Sequence, residues 1–264
     1  MAMLLTDEQN MLRDSARRFI QVSAPINQLR RLRDDASSDG YDRSTWRSMV
    51  ELGWAGVLIP EEHGGVAMGH VAAGVIAEEM GRTLTASPFL STAVMGAVAI
   101  ANNGSARQRE QWLPAIADGS TNVAVAVDEY RSHSPALVST TVQSSGRGFR
   151  ISGSKSFVAD GHVADLILVS GRTSGDDKDE NGISLFLVPR DSAGITIERQ
   201  MMVDSRNSAS VQLDDVMVDA DSLVGEVGSG YAVLEQAVSY THLRANETRE
   251  ERLWRRGGEK KKSG

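Results

Sequence analysis

The sequence predicts an α+β, multidomain chain: an N-terminal all-α helical domain, then an antiparallel β-barrel or β-sandwich domain, then the start of a third helical segment. Three observations predict it. Apolar residues recur at helical spacing up to about residue 120. Near Asn122 the period changes to two and β-branched residues take over, and Gly, Ser and Asp turns then recur at the interval of short strands. The expected boundaries are 1–120, 121–225 and 226–238, with a basic tail over 239–264.

In chain order, Thr6 followed by Gln9 is a capping-box signal, and Leu12, Ala16 and Phe19 then recur at i, i+4 and i+7. Trp46, Met49 and Val50 give a second apolar face. A third helix is expected over Val71–Met80, stopping before Gly81, and a fourth over Leu90–Ala101, stopping at Asn102-Asn103-Gly104. Ser105 with Gln108 repeats the cap signal ahead of Trp112 and Ile116. Strands are expected over Val123–Val127, Leu137–Val142, Phe149–Ser152, Ser156–Val158, Leu166–Ser170, Ile183–Val188, Ile195–Glu198 and Ser210–Val218. The polar run 171–182 reads as a solvated hairpin loop, since its acids lack the ordered spacing of a cation loop.

Composition narrows the function classes. The 264 residues are 41% hydrophobic, enough for one or two ordinary cores. With no cysteine, neither a disulfide framework nor a thiolate metal site can form, which fits a reducing, cytoplasmic setting. The longest apolar-plus-glycine run, Ala93–Ala101, is too short for a bilayer, so no membrane span is expected. Residues 239–264 hold eight basic and four acidic side chains. Taking these from 28 and 35 leaves 20 and 31, so the tail carries +4 and the body −11. A body that acidic argues against nucleic acid as a partner, and the tail reads as foreign to the fold or unstructured.

Several local patterns are set aside on physical grounds. The five histidines show no i, i+4 pairing, so no metal site is assigned. Ser152-Gly-Ser-Lys155 matches an acyl-transfer pattern, but that chemistry needs its serine at a helix start, and this serine falls in a strand turn. Gly225-x-x-Gly228-x-Gly230 has no strand–helix–strand context and reads as a helix-entry turn. Asp34-Asp35 reads as a solvated loop.

The run Gly53-Trp-Ala-Gly-Val-Leu-Ile-Pro-Glu-Glu-His-Gly-Gly-Val-Ala-Met-Gly69 resembles the acyl-CoA dehydrogenase family, which carries a Pro-Glu-Glu-aromatic-Gly-Gly turn between N-terminal helices. Thr6–Phe19 is similar to that family's first helix, and Gly225-Glu-Val-Gly-Ser-Gly230 to its entry into a C-terminal helical domain. The resemblance covers about residues 4–238. It implies FAD as cofactor, lying between the β domain and C-terminal helices, and an acyl-CoA thioester as substrate against one face of the flavin ring. The reaction it implies is α,β-dehydrogenation: a glutamate removes the α proton and the β hydride passes to the flavin.

The resemblance also assigns residues. Val125-Ala-Val-Asp-Glu-Tyr-Arg-Ser-His-Ser134 stands where the family has Thr-Glu-Pro, a glycine-rich stretch and Ser. Asp128 replaces the Thr and Tyr130 the Pro, while Arg131 and His133 replace Gly. Backbone N–H groups at a strand end can donate to the flavin's pyrimidine edge, which grows negative on reduction; a carboxylate at Asp128 opposes that charge. Gly153-Ser-Lys-Ser-Phe-Val-Ala159 stands where the family has Gly-x-Lys-x-Trp-Ile-Thr, with Phe157 as ring-stacking aromatic and Ala159 lacking the hydroxyl. Asp204-Ser-Arg-Asn-Ser is similar to its Arg-x-Ser segment, where Arg206 either orders the strand or approaches the acyl-CoA pocket. The implied cofactor-binding residues are Val127, Asp128, Ser134, Phe157, Val158 and Ala159, and the implied substrate residues Ser134 and Arg206.

Ungapped alignment puts Ser239 and His242 on the family's Asp-x-x-Arg element, and the helix bearing its glutamate has no counterpart here. No catalytic residue is therefore assigned. The chain reads as a truncated, inactive part of an enzyme that assembles as a homo- or hetero-oligomer at full length, its electron acceptor unreadable. The alternatives are a non-catalytic partner subunit of a heteromeric dehydrogenase, and a flavin monooxygenase or oxidase on the same scaffold.

Overall fold

The computed structural model describes residues 5–35, 37–146 and 148–237; the reading of 239–264 as a tail lies outside them. Helix α1 (Asp7–Ser23) opens on the expected reciprocal cap. Thr6 Oγ1 accepts from Gln9 N–H at 3.2 Å, and Gln9 Oε1 accepts from Thr6 N–H at 3.0 Å. Its apolar stripe buries Ala16 and Ile20, and Phe19 meets Trp54 edge-on at 5.3 Å. α2 (Ile26–Asp34) was not expected, because its three arginines hide the helical period. It is held by Gln28, which donates to Ser23 O and Thr45 Oγ1, and Asp34 closes this helix rather than sitting in a loop.

α3 (Arg43–Glu51) starts on Asp42, which accepts from Thr45 N–H at 2.8 Å. The Pro60 turn follows as one 3₁₀ turn, Glu61–His63, closed by Gly64 at φ 81°. The second glycine is needed for room, since a Cβ on Gly65 would sit 2.0 Å from Ile59 O. α4 (Gly69–Arg82) buries Glu79 between Arg17 at 2.8 Å and Arg82 at 3.0 Å. The expected helix over Leu90–Ala101 comes in two windings: Phe89–Gly96 is π-helical, and α5 (Ala97–Asn103) continues it as α. α6 (Ala106–Ala117) carries the second capping box, Ser105 with Gln108.

Among the described residues eight strands form one sheet: β1 (Val123–Ala126), β2 (Thr141–Ser145), β3 (Gly148–Ala159), β4 (Leu166–Arg172), β5 (Ile183–Pro189), β6 (Ile195–Met201), β7 (Asn207–Asp219) and β8 (Leu223–Val224). Their order is β6-β7-β3-β2-β4-β5-β8, with β1 beside β4. The sheet is sandwich-like and does not close into a barrel. It also departs from pure antiparallel pairing, as β1 runs parallel to β4. The two expected strands at 149–152 and 156–158 are one strand, β3, bulged against β7 after Ile151 and after Lys155. The strand expected over Leu137–Val142 begins only at Thr141. After β8, Gly225 and Gly228 at φ 76° and 83° turn the chain into a helix at 230–237, as the glycine spacing implied.

Burial does not follow the 120/121 boundary. One apolar cluster joins Ile59, Ile100, Leu113 and Ile116 of the helices to Val123, Val125, Leu168 and Leu185 of the sheet and to Val233, Leu234 and Ala237. Thr92 ties the two halves together. Its hydroxyl donates to Val123 O at 3.1 Å and accepts from Val123 N–H at 3.0 Å, as a neighbouring strand would at the open side of β1.

Candidate functional site

The π-helix, the end of β1, the second bulge of β3 and the helix at 230–237 enclose a cleft of about 370 Å³. Met95, Val125, Val127, Phe157, Ala159 and Leu234 make its wall largely apolar, with Ser91, Asp128, His133, Ser156, Tyr231 and Glu235 as polar points. Such a cavity is of the size and character of a small-molecule site. The wide π turn brings Ser91 and Met95 to this wall, and π segments recur at functional positions.

Phe157 is the most conspicuous wall residue. The bulge between Lys155 and Val158 lets Lys155 and Val158 both point inward while Phe157 stays 43% exposed with φ 55°. A strand aromatic held open in the left-handed region is an energetically costly placement, of the kind found at binding sites. Val158 lies in the core at 1% exposure and is not part of the cleft wall, whereas Ala159 lines it.

Asp128 does more than face the cleft. Its carboxylate accepts from Ser134 N–H at 3.0 Å and pairs with His133 Nδ1 at 2.8 Å, so it organises the 128–134 loop and its charge is partly met by two donors. Its carbonyl accepts from Ser156 N–H at 2.7 Å, joining the two segments that sequence reasoning had assigned separately. Ser134 adjoins the wall residues His133 and Pro135. Arg206 is not brought together with these residues. It is exposed, pairs with Asp204 at 3.3 Å and borders a shallow groove beside α2 and Met202.

Beneath the cleft lies an ionic network that sequence reasoning missed. Lys155 is fully buried and donates to Val127 O at 3.2 Å, Glu129 Oε1 at 2.7 Å and Ser170 Oγ at 2.8 Å. Burial pushes its ammonium down to about 8 despite the Glu129 carboxylate. Burial acts to raise Glu129, but Lys155 and hydrogen bonds from Ser139 and Thr140 outweigh it, and its pKa falls below the usual range. The signal was available: Glu129 and Lys155 are the two charged residues in their segments that match the Thr-Glu-Pro and Gly-x-Lys patterns. Asp160, next to Ala159, is likewise buried. It accepts from Ser91 Oγ at 2.7 Å, and burial raises it to about 6. The Ser-x-x-Lys pair is split, since Ser152 donates to Asp215 on the far side of the strand.

Residues 6–120 match the family model of the acyl-CoA dehydrogenase N-terminal domain, and residues 124–216 match that of the acyl-CoA dehydrogenase middle domain. The chain belongs to the acyl-CoA dehydrogenase family. Among relatives, acyl-CoA dehydrogenase FadE12 of Mycobacterium tuberculosis is 33% identical over 207 residues, which are 76% of this chain and 53% of FadE12. The chain thus spans about half the length of the curated relatives that it matches first. Two solved structures share its course: an acyl-CoA dehydrogenase from Geobacillus kaustophilus (TM-score 0.80, 28% identity, 92% of this chain, 64% of that one) and the Tcur3481-Tcur3483 steroid ACAD (TM-score 0.80, 25% identity, 97% and 67%). Both cover the helical and β parts of this acyl-CoA dehydrogenase-family chain in one alignment. No helix among its described residues is long and apolar enough to cross a membrane.

Proposed function

We propose that this chain supplies the cofactor cleft of an FAD-dependent acyl-CoA dehydrogenase acting in the cytoplasm on an acyl-CoA thioester. The observation that carries the reading is the exposed, left-handed Phe157 at the second β3 bulge, on an apolar cleft whose wall joins both family domains. These residues fit a planar, mostly apolar ring. Phe157 offers a stacking face, Val125, Val127 and Met95 exclude water, and polar groups are confined to a few points. FAD, when bound, supplies the two-electron acceptor for the β hydride.

The chain's own residues bind and position. Lys155 and Glu129 hold the end of β1 against β3 and the 139–140 backbone, so the wall stands preorganised. Asp128 holds the 128–134 loop at its rim. Ser134, on that loop, is assigned to the flavin and thioester side, and Arg206 to an acyl-CoA contact apart from the cleft. The likeness to the Tcur3481-Tcur3483 steroid ACAD supports a homo- or heteromeric assembly with a second acyl-CoA dehydrogenase chain.

Titrating FAD into the protein, read by flavin fluorescence quenching, tests this. Binding is expected, and Phe157→Ala should weaken it about 2- to 12-fold, the loss of a stacking contact of roughly 0.5–1.5 kcal/mol. Absence of binding, or a Phe157→Ala variant that binds as tightly as the parent, refutes the assignment.

A further inference from the structure

Two residues at the cleft rim form a unit that stacking and apolar burial do not use. Asp128 Oδ2 and His133 Nδ1 are 2.8 Å apart, and Asp128 Oδ1 accepts from Ser134 N–H at 3.0 Å. The carboxylate is therefore fixed by a main-chain donor and fixes the imidazole in turn. His133 lines the cleft with its side chain half exposed, and its Nε2 has no protein partner among the described residues. A carboxylate that accepts from Nδ1–H selects the tautomer in which Nε2 is the free base. This is how an orienting carboxylate serves a histidine that exchanges protons.

We propose that His133, oriented by Asp128, is the cleft's acid–base residue, taking a proton at Nε2 when a negatively charged group occupies the cleft. The step is one proton from solvent to Nε2: the bond formed is Nε2–H, no electrons move, and the dyad passes from −1 to neutral. The carboxylate at Asp128, which alone opposes an anion, thereby becomes part of a pair that accommodates one. The proposal rests on the reading of the cleft as a flavin site, since the charge of oxidised FAD is on its pyrophosphate, which the polar rim at His133 rather than the apolar wall would meet.

Other titratable groups face the same space. Tyr231 and Glu235 come from the helix at 230–237, Asp160 lies behind Ser91 on the π-helix side, and the paired Lys155 and Glu129 lie beneath. Asp160 titrates in the range of an imidazole, so it must be separated from His133 by experiment.

The test has two parts. Long-range ¹H–¹⁵N spectra of the histidine rings in the ligand-free protein should show neutral His133 as the Nδ1–H tautomer, a preference lost in Asp128→Ala. A predominant Nε2–H tautomer overturns the proposal. FAD affinity measured from pH 5 to 8.5 should fall with rising pH, by at most tenfold per unit for one linked proton. His133→Gln should flatten this dependence and Asp160→Asn should retain it. Binding with the same pH dependence in His133→Gln overturns the proposal alone, whereas no FAD binding at any pH overturns it together with the flavin reading.

Discussion

Lys155→Met removes the cation from a pair whose members are 0% and 6% exposed. The Glu129 carboxylate would then keep only the Ser139 and Thr140 amides in a site nearly closed to water, and Val127 O and Ser170 Oγ would each lose a donor. Breaking a buried pair from one side costs about 3–5 kcal/mol. For a chain of this size that corresponds to a melting point lower by roughly 6–20 °C. Thermal and urea unfolding of the variant and of Lys155→Met/Glu129→Gln measure it. The double variant should regain part of the loss, because a neutral amide can stay buried at less cost. A single-variant loss below about 1 kcal/mol, or strict additivity of the two changes, would refute the account of a mutually dependent buried pair.

Asp160 supplies a pH signature. Its folded-state pKa is raised to about 6, so the folded chain binds more protons than the unfolded one from about pH 4 to 6, and this contribution to stability is lost as pH rises through that window. Asp160→Asn should remove a loss on the order of 3 kcal/mol, leaving the variant more stable relative to the parent at pH 7 than at pH 4; an unchanged difference across pH contradicts the assignment. Arg172 donates to the carbonyls of Ala136, Val138, Ser174, Asp177, Asp179 and Asn181. Arg172→Ala should raise limited proteolysis at 173–181 about tenfold or more, since a loss of roughly 1.4 kcal/mol already multiplies the open population by ten. Equal cleavage rates would show that the loop closes without it.

What the sequence made legible were features with a local cause. Thr6–Gln9 and Ser105–Gln108 cap their own helices within four residues, and the 225–230 glycines set a turn by their own backbone freedom. What stayed hidden had a distant cause. The π winding of Phe89–Gly96 shows the same apolar spacing as an α-helix, and its wide turn is packed against Val123, reached only after 27 residues or more. The sheet's parallel β1–β4 pair joins segments whose apolar runs carry no direction. At the site, Val127, Asp128, Phe157 and Ala159 do come together, because each sits at a strand end or bulge that the sequence pattern marks. Lys155 is marked only by its match to the Gly-x-Lys pattern and Asp160 by nothing local, since neither β3 nor the turn after it shows that a second strand, a loop and the π-helix bury them.

Thr92, filling the place of a strand beside β1, bears on how the molecule comes apart. The helical segments and the sheet share the cluster from Ile59 to Leu185, and a threonine hydroxyl closes the sheet's hydrogen bonding from the helical side. Two units recognised separately by their sequences are therefore expected to melt in a common transition, and a cut at the 120/121 junction would strip each of the apolar surface that the other covers. The modularity belongs to the alphabet of the family, while cooperativity belongs to the pair.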